Sequence, residues 1–449
     1  MSALRGEFRS RIGFILAAAG SAVGLGNIWG FPTQAASNGG AAFLLTYLGL
    51  TFLLAYPALM AEILIGRHTH CNMAEALSKL PERPFLQNLG LITGFGGLIT
   101  ASLILSFYGV VAGWMLGFAI SYPIQMAGFI NSADWLSTFS EDRNLILMLT
   151  FMGMTGAVVA GGVENGIERW SRRLMPLLIL TLIFLAGYVL SLEGAIRGLK
   201  VYLFPDVTKV LSRDLLIDAL GSAFFSLSLG VGTMLIYGSY LSDSEHVPSI
   251  GAQVALVDVG IAVMAGFLIL PAMYAADARG VAIFDAAGGL LAEDTLIFAV
   301  LPALFATMDT AGAWLATAFF SLLCIAALTS SISMLEVPVA YLVERHKISR
   351  ARSTLLAVLL ISAISAVIVS NFDVLFGLVI TISTRYGQPI LGLLICVFAG
   401  WLWQRDQLLN ELKKNDPDTQ NSFFWRIWPV YVKWFCPAII GVILTQSML

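Results

Sequence analysis

The chain has 449 residues, of which 58% are hydrophobic and 12% charged, with a formal net charge of -3. Soluble domains run near a quarter charged and nucleic-acid binders need a basic face, so this composition argues against both. Cys71, Cys324, Cys396 and Cys436 stand singly, which argues against a disulfide framework or a thiolate metal cluster.

Apolar runs of about 20 residues, enough to cross a roughly 30 Å hydrocarbon core, recur from end to end. They leave no segment large enough for a soluble domain, so one transmembrane domain over 1–449 is expected, in contact with membrane lipid. The first run carries Gly, Asn and Pro in its middle and no small-residue cleavage site after it, and reads as a retained helix rather than a signal peptide. Helices are expected at 12–36, 41–66, 88–125, 144–161, 171–190, 215–240, 249–275, 312–343, 354–370, 373–403 and 424–448, eleven in all. Most of the 25 Lys and Arg fall in the N-terminus and the loops after helices 2, 4, 8 and 10. The positive-inside rule then puts the N-terminus in the cytoplasm and, after an odd number of spans, the C-terminus outside. His68-Thr-His-Cys71, on the short loop after helix 2, offers two His at i, i+2 but lacks the further ligands of a closed metal site, and reads as a solvated loop. The loop 276–311 is long, and its apolar stretches Val281–Phe284 and Leu296–Phe305 read as a lid packed on the protein, with a plain surface loop as the alternative.

Two runs are unsuited to continuous helix. Helix 1 reads Ala19-Gly20-Ser21-Ala22-Val23-Gly24-Leu25-Gly26-Asn27, and helix 6 reads Phe225-Ser226-Leu227-Ser228-Leu229-Gly230-Val231-Gly232. Backbone freed from helical bonds at membrane depth costs several kcal/mol per unsatisfied group unless it lines a cavity or meets protein groups. Close packing of glycines is the bland alternative. Helix 6, however, is helix 1 displaced by five spans, and an odd-numbered repeat must insert its second copy upside down. Interrupted helices at corresponding places in two halves are the pattern of an inverted-repeat transporter with a midplane site. The expected fold is therefore an all-α polytopic membrane protein with an inverted five-helix repeat, helices 1–5 (12–200) and 6–10 (215–403), plus helix 11 at 424–448.

Few ionisable residues fall within the spans: Glu62, Asp258, Glu336 and Arg385, with Glu344 at an inner end. Sodium needs about five or six hard oxygens, which unwound carbonyls, Asn27, Asp258 and the hydroxyls of Thr329-Ser330-Ser331 would supply. Each hydroxyl alone is weak evidence, because Ser and Thr in membrane helices often bond their own backbone.

The run from Arg11 to Trp29, then Phe31-Pro32 and Asn38-Gly-Gly-Ala-Ala-Phe43, resembles helix 1 of the neurotransmitter:sodium symporter family. The resemblance continues through Glu62 with Gly66-Arg67, Tyr108 with Gly113-Trp114, Gly194 to Pro205-Asp206, the helix 6 run, Val257-Asp258 and Leu328-Thr329-Ser330-Ser331, over about residues 5–400. Eleven helices are similar to its bacterial branch, which implies a cell (inner) membrane location and a symporter, not an enzyme; this family is itself a standard case of broken helices in inverted repeats. The resemblance implies one sodium at the carbonyl of Ala22 with Asn27, Ser226, Asp258 and the substrate carboxylate. It implies a second at the carbonyls of Gly20, Val23 and Ala326 with the hydroxyls of Thr329 and Ser330. The substrate carboxylate is expected at Tyr108 and the amides near Leu25 and Gly26, its ammonium at carbonyls of Ala22, Phe225 and Ser226. Gly24 stands where monoamine carriers have Asp, which favours a substrate with its own carboxylate. Ile104, Val231, Ser333 and Met334 are expected at the pocket floor, and Ser228 and Ser330 beside the substrate. Arg5, Phe8, Ser239, Tyr240 and Glu344 match the cytoplasmic latch, residues 1–11 forming its N-terminal part.

Two positions depart together: Gly30 replaces the Arg, and Phe376 the Asp, of the family's external ion pair. Joint loss is physically coherent, since one partner alone would leave an uncompensated charge. Arg385, before Pro389, is expected in an ion pair or a cytoplasmic-end contact, with contact to an acidic or sulfonated substrate as the alternative. Asp258 places a fixed carboxylate in the first sodium shell where chloride-dependent members have Asn, and the anion-ring positions read Tyr47, Ser222, Ser226 and Ala262, so no chloride is expected. The expectation is sodium-coupled uptake of a small, neutral or hydrophobic amino acid by alternating access, in a monomer or weak dimer. The alternatives are a sulfonate or acidic amino acid, or a proton-coupled carrier of the same architecture. No carboxylate, His or Cys grouping resembles a catalytic set.

Overall fold

The computed structural model describes residues 6–204, 212–284, 290–291 and 295–448. Among the described residues, nine helices are long and apolar enough to cross a membrane. They are helix 2 (Ala41–Thr69), helix 3 (Pro84–Met126), helix 4 (Glu141–Ala160), helix 5 (Val163–Leu190), helix 7 (Val247–Ala278), helix 8 (Thr310–His346), helix 9 (Arg350–Ser370), helix 10 (Phe372–Leu402) and helix 11 (Phe423–Gln446). Helix 1 is a tenth span bent by 58° between its halves 1a (Arg11–Ala22) and 1b (Gly26–Ser37). The remaining apolar run, 215–240, is split into helix 6a (Arg213–Ser226) and helix 6b (Thr233–Gly238), each too short to cross alone.

Both breaks follow from their sequences. At Val23 the backbone turns extended, with φ -71° and ψ 102°. The groups freed there are bonded by side chains of other helices: Leu25 N donates to the Tyr108 hydroxyl (3.2 Å), and the Ser21 carbonyl accepts from Ser228 Oγ (2.9 Å) and Ser330 Oγ (3.1 Å). In helix 6, Gly230 and Gly232 take φ of +81° and +80°, a region that disfavours side chains. Gly230 N donates to Glu62 Oε1 (2.7 Å), and the Leu229 carbonyl accepts from Gln388 Nε2 (3.2 Å). A carboxylate and an amide buried in the spans thus replace the missing helical bonds, as the lipid environment requires.

The broken helices occupy the middle. Helix 1a packs on helices 5, 7 and 8, helix 6b on helices 2 and 8, and helix 6a near helix 10, while helices 3 and 8 run along each other over a long contact. Helices 5 and 9 turn Leu180, Phe184, Leu359 and Leu360 outward, more than half exposed, which suits lipid contact.

Loops that read as irregular carry short helices at Met73–Lys79, Ile130–Ser137, Ala195–Leu203, Leu296–Ala306 and Arg405–Lys413. Leu296–Ala306 packs on the protein: it buries Leu296, Ile297, Val300, Leu301, Leu304 and Phe305, and presents Phe298 edge-on to Trp29 and Trp114 at 5.7 Å each. The stretch after Phe284 lies largely outside the described residues.

Candidate functional site

The two breaks face each other across one buried cavity. Ala22, Gly24, Leu25, Gly26 and Asn27 of helix 1, Ile104 and Tyr108 of helix 3, Phe225, Ser228 and Val231 of helix 6, Ser330 and Met334 of helix 8, and Gln388 of helix 10 line it. The glycines are required by space. A Cβ on Gly24 would lie 2.7 Å from Ser330 Oγ and 2.8 Å from the Tyr108 hydroxyl, and one on Gly26 would lie 2.6 Å from the Phe225 ring. The Tyr108 hydroxyl and the first amides of helix 1b therefore sit together at a helix N-terminus, which favours negative charge.

Beside the cavity lies a closed polar cluster. Asn27 Nδ2 donates to Asp258 Oδ1 (2.7 Å) and Ser226 Oγ (2.8 Å), and Ser226 Oγ donates to Asp258 Oδ2 (2.7 Å). The Tyr47 hydroxyl stands 3.1 Å from Ser226 Oγ and donates to Asp258 Oδ2 at 3.5 Å. Asn27 and Asp258 are fully buried. On the other side of the helix 1 break, Ser330 Oγ donates toward the carbonyls of Gly20 (3.3 Å), Ser21 (3.1 Å) and Val23 (3.0 Å). Thr329 Oγ1 bonds its own helix, at the carbonyls of Ile325 and Ala326, and Ser331 does the same at Ala327. The first group offers hydroxyl, amide and carboxylate oxygens and the second carbonyl and hydroxyl oxygens, and among the described residues no cluster of three or more His, Cys, Asp or Glu could hold a metal ion. Such oxygen-only donor sets fit a hard cation such as sodium and not a soft transition metal.

Residues 5–142 and 140–449 match the family model described as the Sodium:neurotransmitter symporter family. The chain belongs to that family. An uncharacterized sodium-dependent transporter of Bacillus subtilis (strain 168) is 33% identical to this symporter, over 97% of this chain and 96% of its own length. Another, from Haemophilus influenzae, is 31% identical over 99% and 98%. Among solved structures, MhsT in complex with L-phenylalanine is similar at a TM-score of 0.84 and 35% identity, covering 99% of this chain and 100% of that one. The symporter is accordingly a multi-pass, sodium-dependent transporter, and its family consists of transporters rather than enzymes.

At the face where helix 1a begins the symporter is shut by packing. Phe8 is buried against Phe14 and Tyr237, ring centroids 5.2 and 5.6 Å away, and its N–H donates to the Tyr240 carbonyl (3.1 Å). Arg5 lies outside the described residues. Tyr240 sends its hydroxyl to Glu336 Oε1 (2.6 Å), whose other oxygen pairs with Arg350. Glu344 accepts from the backbone and side-chain nitrogens of Asn72 (2.7 and 3.0 Å). Sequence reading marked Glu336 as an intramembrane charge and did not place it in the latch; the partners Tyr240 and Arg350 bring it there. Glu168, at the start of helix 5, went unmarked because it reads as a loop residue. It accepts from Arg9 N (2.8 Å) and Ser10 Oγ (2.9 Å) and ties down the start of helix 1.

At the opposite face, the positions of the lost ion pair are apolar. A Cβ on Gly30 would meet nothing within 4 Å, and Phe376 stacks on Phe372 at 4.5 Å and leans on Trp114 at 5.8 Å. Arg385 is exposed on the π turn Thr381–Gly387 of helix 10, which packs near helix 6a and not at the latch.

Two further expectations change. Ser333 is not at the pocket floor: its hydroxyl accepts from Ser21 Oγ (2.6 Å) and donates to the Ser330 carbonyl (2.8 Å), fastening helix 8 to helix 1. Ser226 sends its hydroxyl to Asp258, outside the cavity lining. His68-Thr-His-Cys71 is solvated only in part: His70 is exposed, but the segment is tied into the protein. His68 Nδ1 lies 3.1 Å from Glu411 Oε2 with its ring over Trp403, His70 Nδ1 lies 3.0 Å from the Ser239 carbonyl, and Cys71 is buried and accepts from Lys79. Gln388 was missed, because a neutral amide in an apolar run escapes a search for intramembrane charge.

Proposed function

We propose that this symporter couples sodium to the uptake of a small neutral amino acid by alternating access about the cavity between the two broken helices. The observation that carries the reading is the convergence of a hydroxyl and helix N-terminal amides, at Tyr108, Leu25 and Gly26, beside the oxygen cluster of Asn27, Ser226 and Asp258. The substrate carboxylate binds at Tyr108 and those amides, and its ammonium faces the carbonyls of Ala22, Phe225 and Ser226. One sodium is held by the Ala22 carbonyl, Asn27, Ser226, Asp258 and the substrate carboxylate. A second is held by the carbonyls of Gly20, Val23 and Ala326 with Thr329 and Ser330. A carboxylate shared between substrate and sodium makes each raise the other's affinity, and that coupling lets a sodium gradient drive uptake. The L-phenylalanine bound by the related MhsT supports an amino-acid substrate.

Helices 1–5 and 6–10 act as inverted repeats that rock about this site, in a bacterial inner membrane with the N-terminus in the cytoplasm and the C-terminus outside. Asp258 supplies in fixed form the negative charge that a bound chloride supplies in chloride-dependent relatives, because an unbalanced cation at low dielectric is costly. Proteoliposome uptake of twenty amino acids, with sodium or potassium and with chloride or gluconate, tests the whole reading. Uptake should require sodium and be equal in the two anions, and should be lost in Asn27→Ala and Ser330→Ala. Asp258→Asn should be inactive or stimulated by chloride. Undiminished uptake in potassium would sink the sodium assignment, and a wild type that stops in gluconate would sink the role of Asp258.

A further inference from the structure

Helix 10 reaches the cavity through one side chain. Gln388 follows the π turn Thr381–Gly387, precedes Pro389, lines the cavity and is 3% exposed. Its Nε2 donates to the carbonyl of Leu229 in the break of helix 6 (3.2 Å). A carbonyl accepts only from a donor, so this bond fixes which end of the amide is which. The other end, Oε1, is buried without a hydrogen-bond partner. Buried amide oxygens are nearly always satisfied, and leaving one unmet forfeits a hydrogen bond, so a leftover acceptor at a ligand cavity points to a donor on the ligand.

The placement narrows which part of the ligand. In the proposed function, on which this inference rests, the substrate's carboxylate and ammonium are taken up by helix 1, Tyr108 and the carbonyls at the end of helix 6a. Gln388 comes from a different helix and holds Leu229, two residues from Val231, on the same cavity as Ile104 and Met334. The helix 10 backbone is pressed on that break: a Cβ on Gly230 would lie 2.3 Å from the Gln388 carbonyl. The amide is thus clamped in place, and a fixed acceptor among apolar neighbours discriminates well between ligands that do and do not carry a matching donor.

We propose that Gln388 is a specificity-determining residue whose Oε1 accepts a hydrogen bond from an O–H or N–H on the substrate's side chain, so that the preferred amino acid bears a side-chain donor.

The test uses purified full-length protein and sodium-dependent binding of radiolabelled amino acids in matched pairs, threonine with valine, tyrosine with phenylalanine, and glutamine with methionine. In the wild type the donor-bearing member of the best-bound pair should bind roughly tenfold or more tightly than its apolar match, the worth of one such bond. In Gln388→Met that ratio should collapse to about twofold or less, whereas a purely structural role would weaken both members alike and leave the ratio standing. Gln388→Asn, which withdraws the oxygen by one methylene, should give an intermediate ratio and serves if Gln388→Met does not fold. An apolar member bound as well as its partner by the wild type would overturn the proposal and assign Oε1 to a water instead. A ratio that survives in both variants would overturn it too. If no amino acid binds in sodium, the proposed function fails with it; if amino acids bind without discrimination, only the role of Gln388 does.

Discussion

Tyr108 and Gly24 share one contact, and each predicts a different loss. The Tyr108 hydroxyl already accepts from Leu25 N, so its own proton remains to meet a carboxylate. Tyr108→Phe should weaken substrate affinity by about 1.5 to 3 kcal/mol, the worth of a hydrogen bond to a charged group, and lower the melting temperature without abolishing folding, because Leu25 N loses its acceptor. Wild-type affinity in that variant, measured by equilibrium binding on purified protein, would mean that the carboxylate is held elsewhere. Gly24→Ala adds a methyl where Ser330 Oγ and the Tyr108 hydroxyl already lie within 2.8 Å, so both must move. Binding should fall further than in Tyr108→Phe, since the methyl disturbs a substrate contact and a proposed sodium ligand together.

At the scale of elements, a charged clamp joins helix 2 to the helix Arg405–Lys413, which precedes helix 11. Arg67 Nε meets Glu411 Oε1 at 2.6 Å, its Nη1 donates to the Glu245 carbonyl (2.7 Å), and Lys414 reaches both Glu411 (3.0 Å) and Asp243 (2.9 Å). Arg67 and the Glu411 side chain are 1% exposed. Burial pushes the Glu411 carboxyl up, but His68, Arg67 and Lys414 together outweigh it and hold it down at about 2, against an ordinary 4.5. A carboxyl lowered on folding adds stability that is fully present above its unfolded value and is lost as pH falls toward its folded value. The melting temperature of the wild type should therefore drop between about pH 4.5 and 2, and Glu411→Gln should flatten that part of the profile. Arg67→Ala at neutral pH strands a buried carboxylate and should cost about 3 to 5 kcal/mol, read as a lower melting temperature. An unchanged melt would show that the clamp is solvated in the working protein.

Across the whole molecule, both ends of the cavity are closed, one by Phe8, Tyr240 and Glu336 and the other by the aromatic group around Phe298, Trp114 and Phe376. A transporter that alternates must break one set at a time, and removing a bond from one set shifts the population toward that opening. Tyr240→Phe deletes the bond to Glu336, worth about 1.5 to 3 kcal/mol, and should raise the open population at that end by roughly ten- to a hundredfold. A cysteine placed at Met334, inside the cavity, should then react with thiol reagents correspondingly faster than in the Tyr240 parent. Equal labelling rates would locate the closing contact elsewhere.

The sequence by itself determined the membrane class, the two breaks and the spans to within about four residues, except that helix 5 starts at Val163 and not at 171. Those signals are local: lipid demands long apolar runs, and glycines with small polar residues inside such a run resist continuous helix. The tertiary structure alone decided partners. It gave Tyr240 to Glu336, Arg67 and His68 to Glu411, and Ser333 to Ser21, because hydrogen bonds between residues 96 to 344 positions apart leave no trace in spacing. It also brought in Gln388, whose neutral side chain is unremarkable until helix 10 sets it beside the break of helix 6 and one of its two polar atoms is left over.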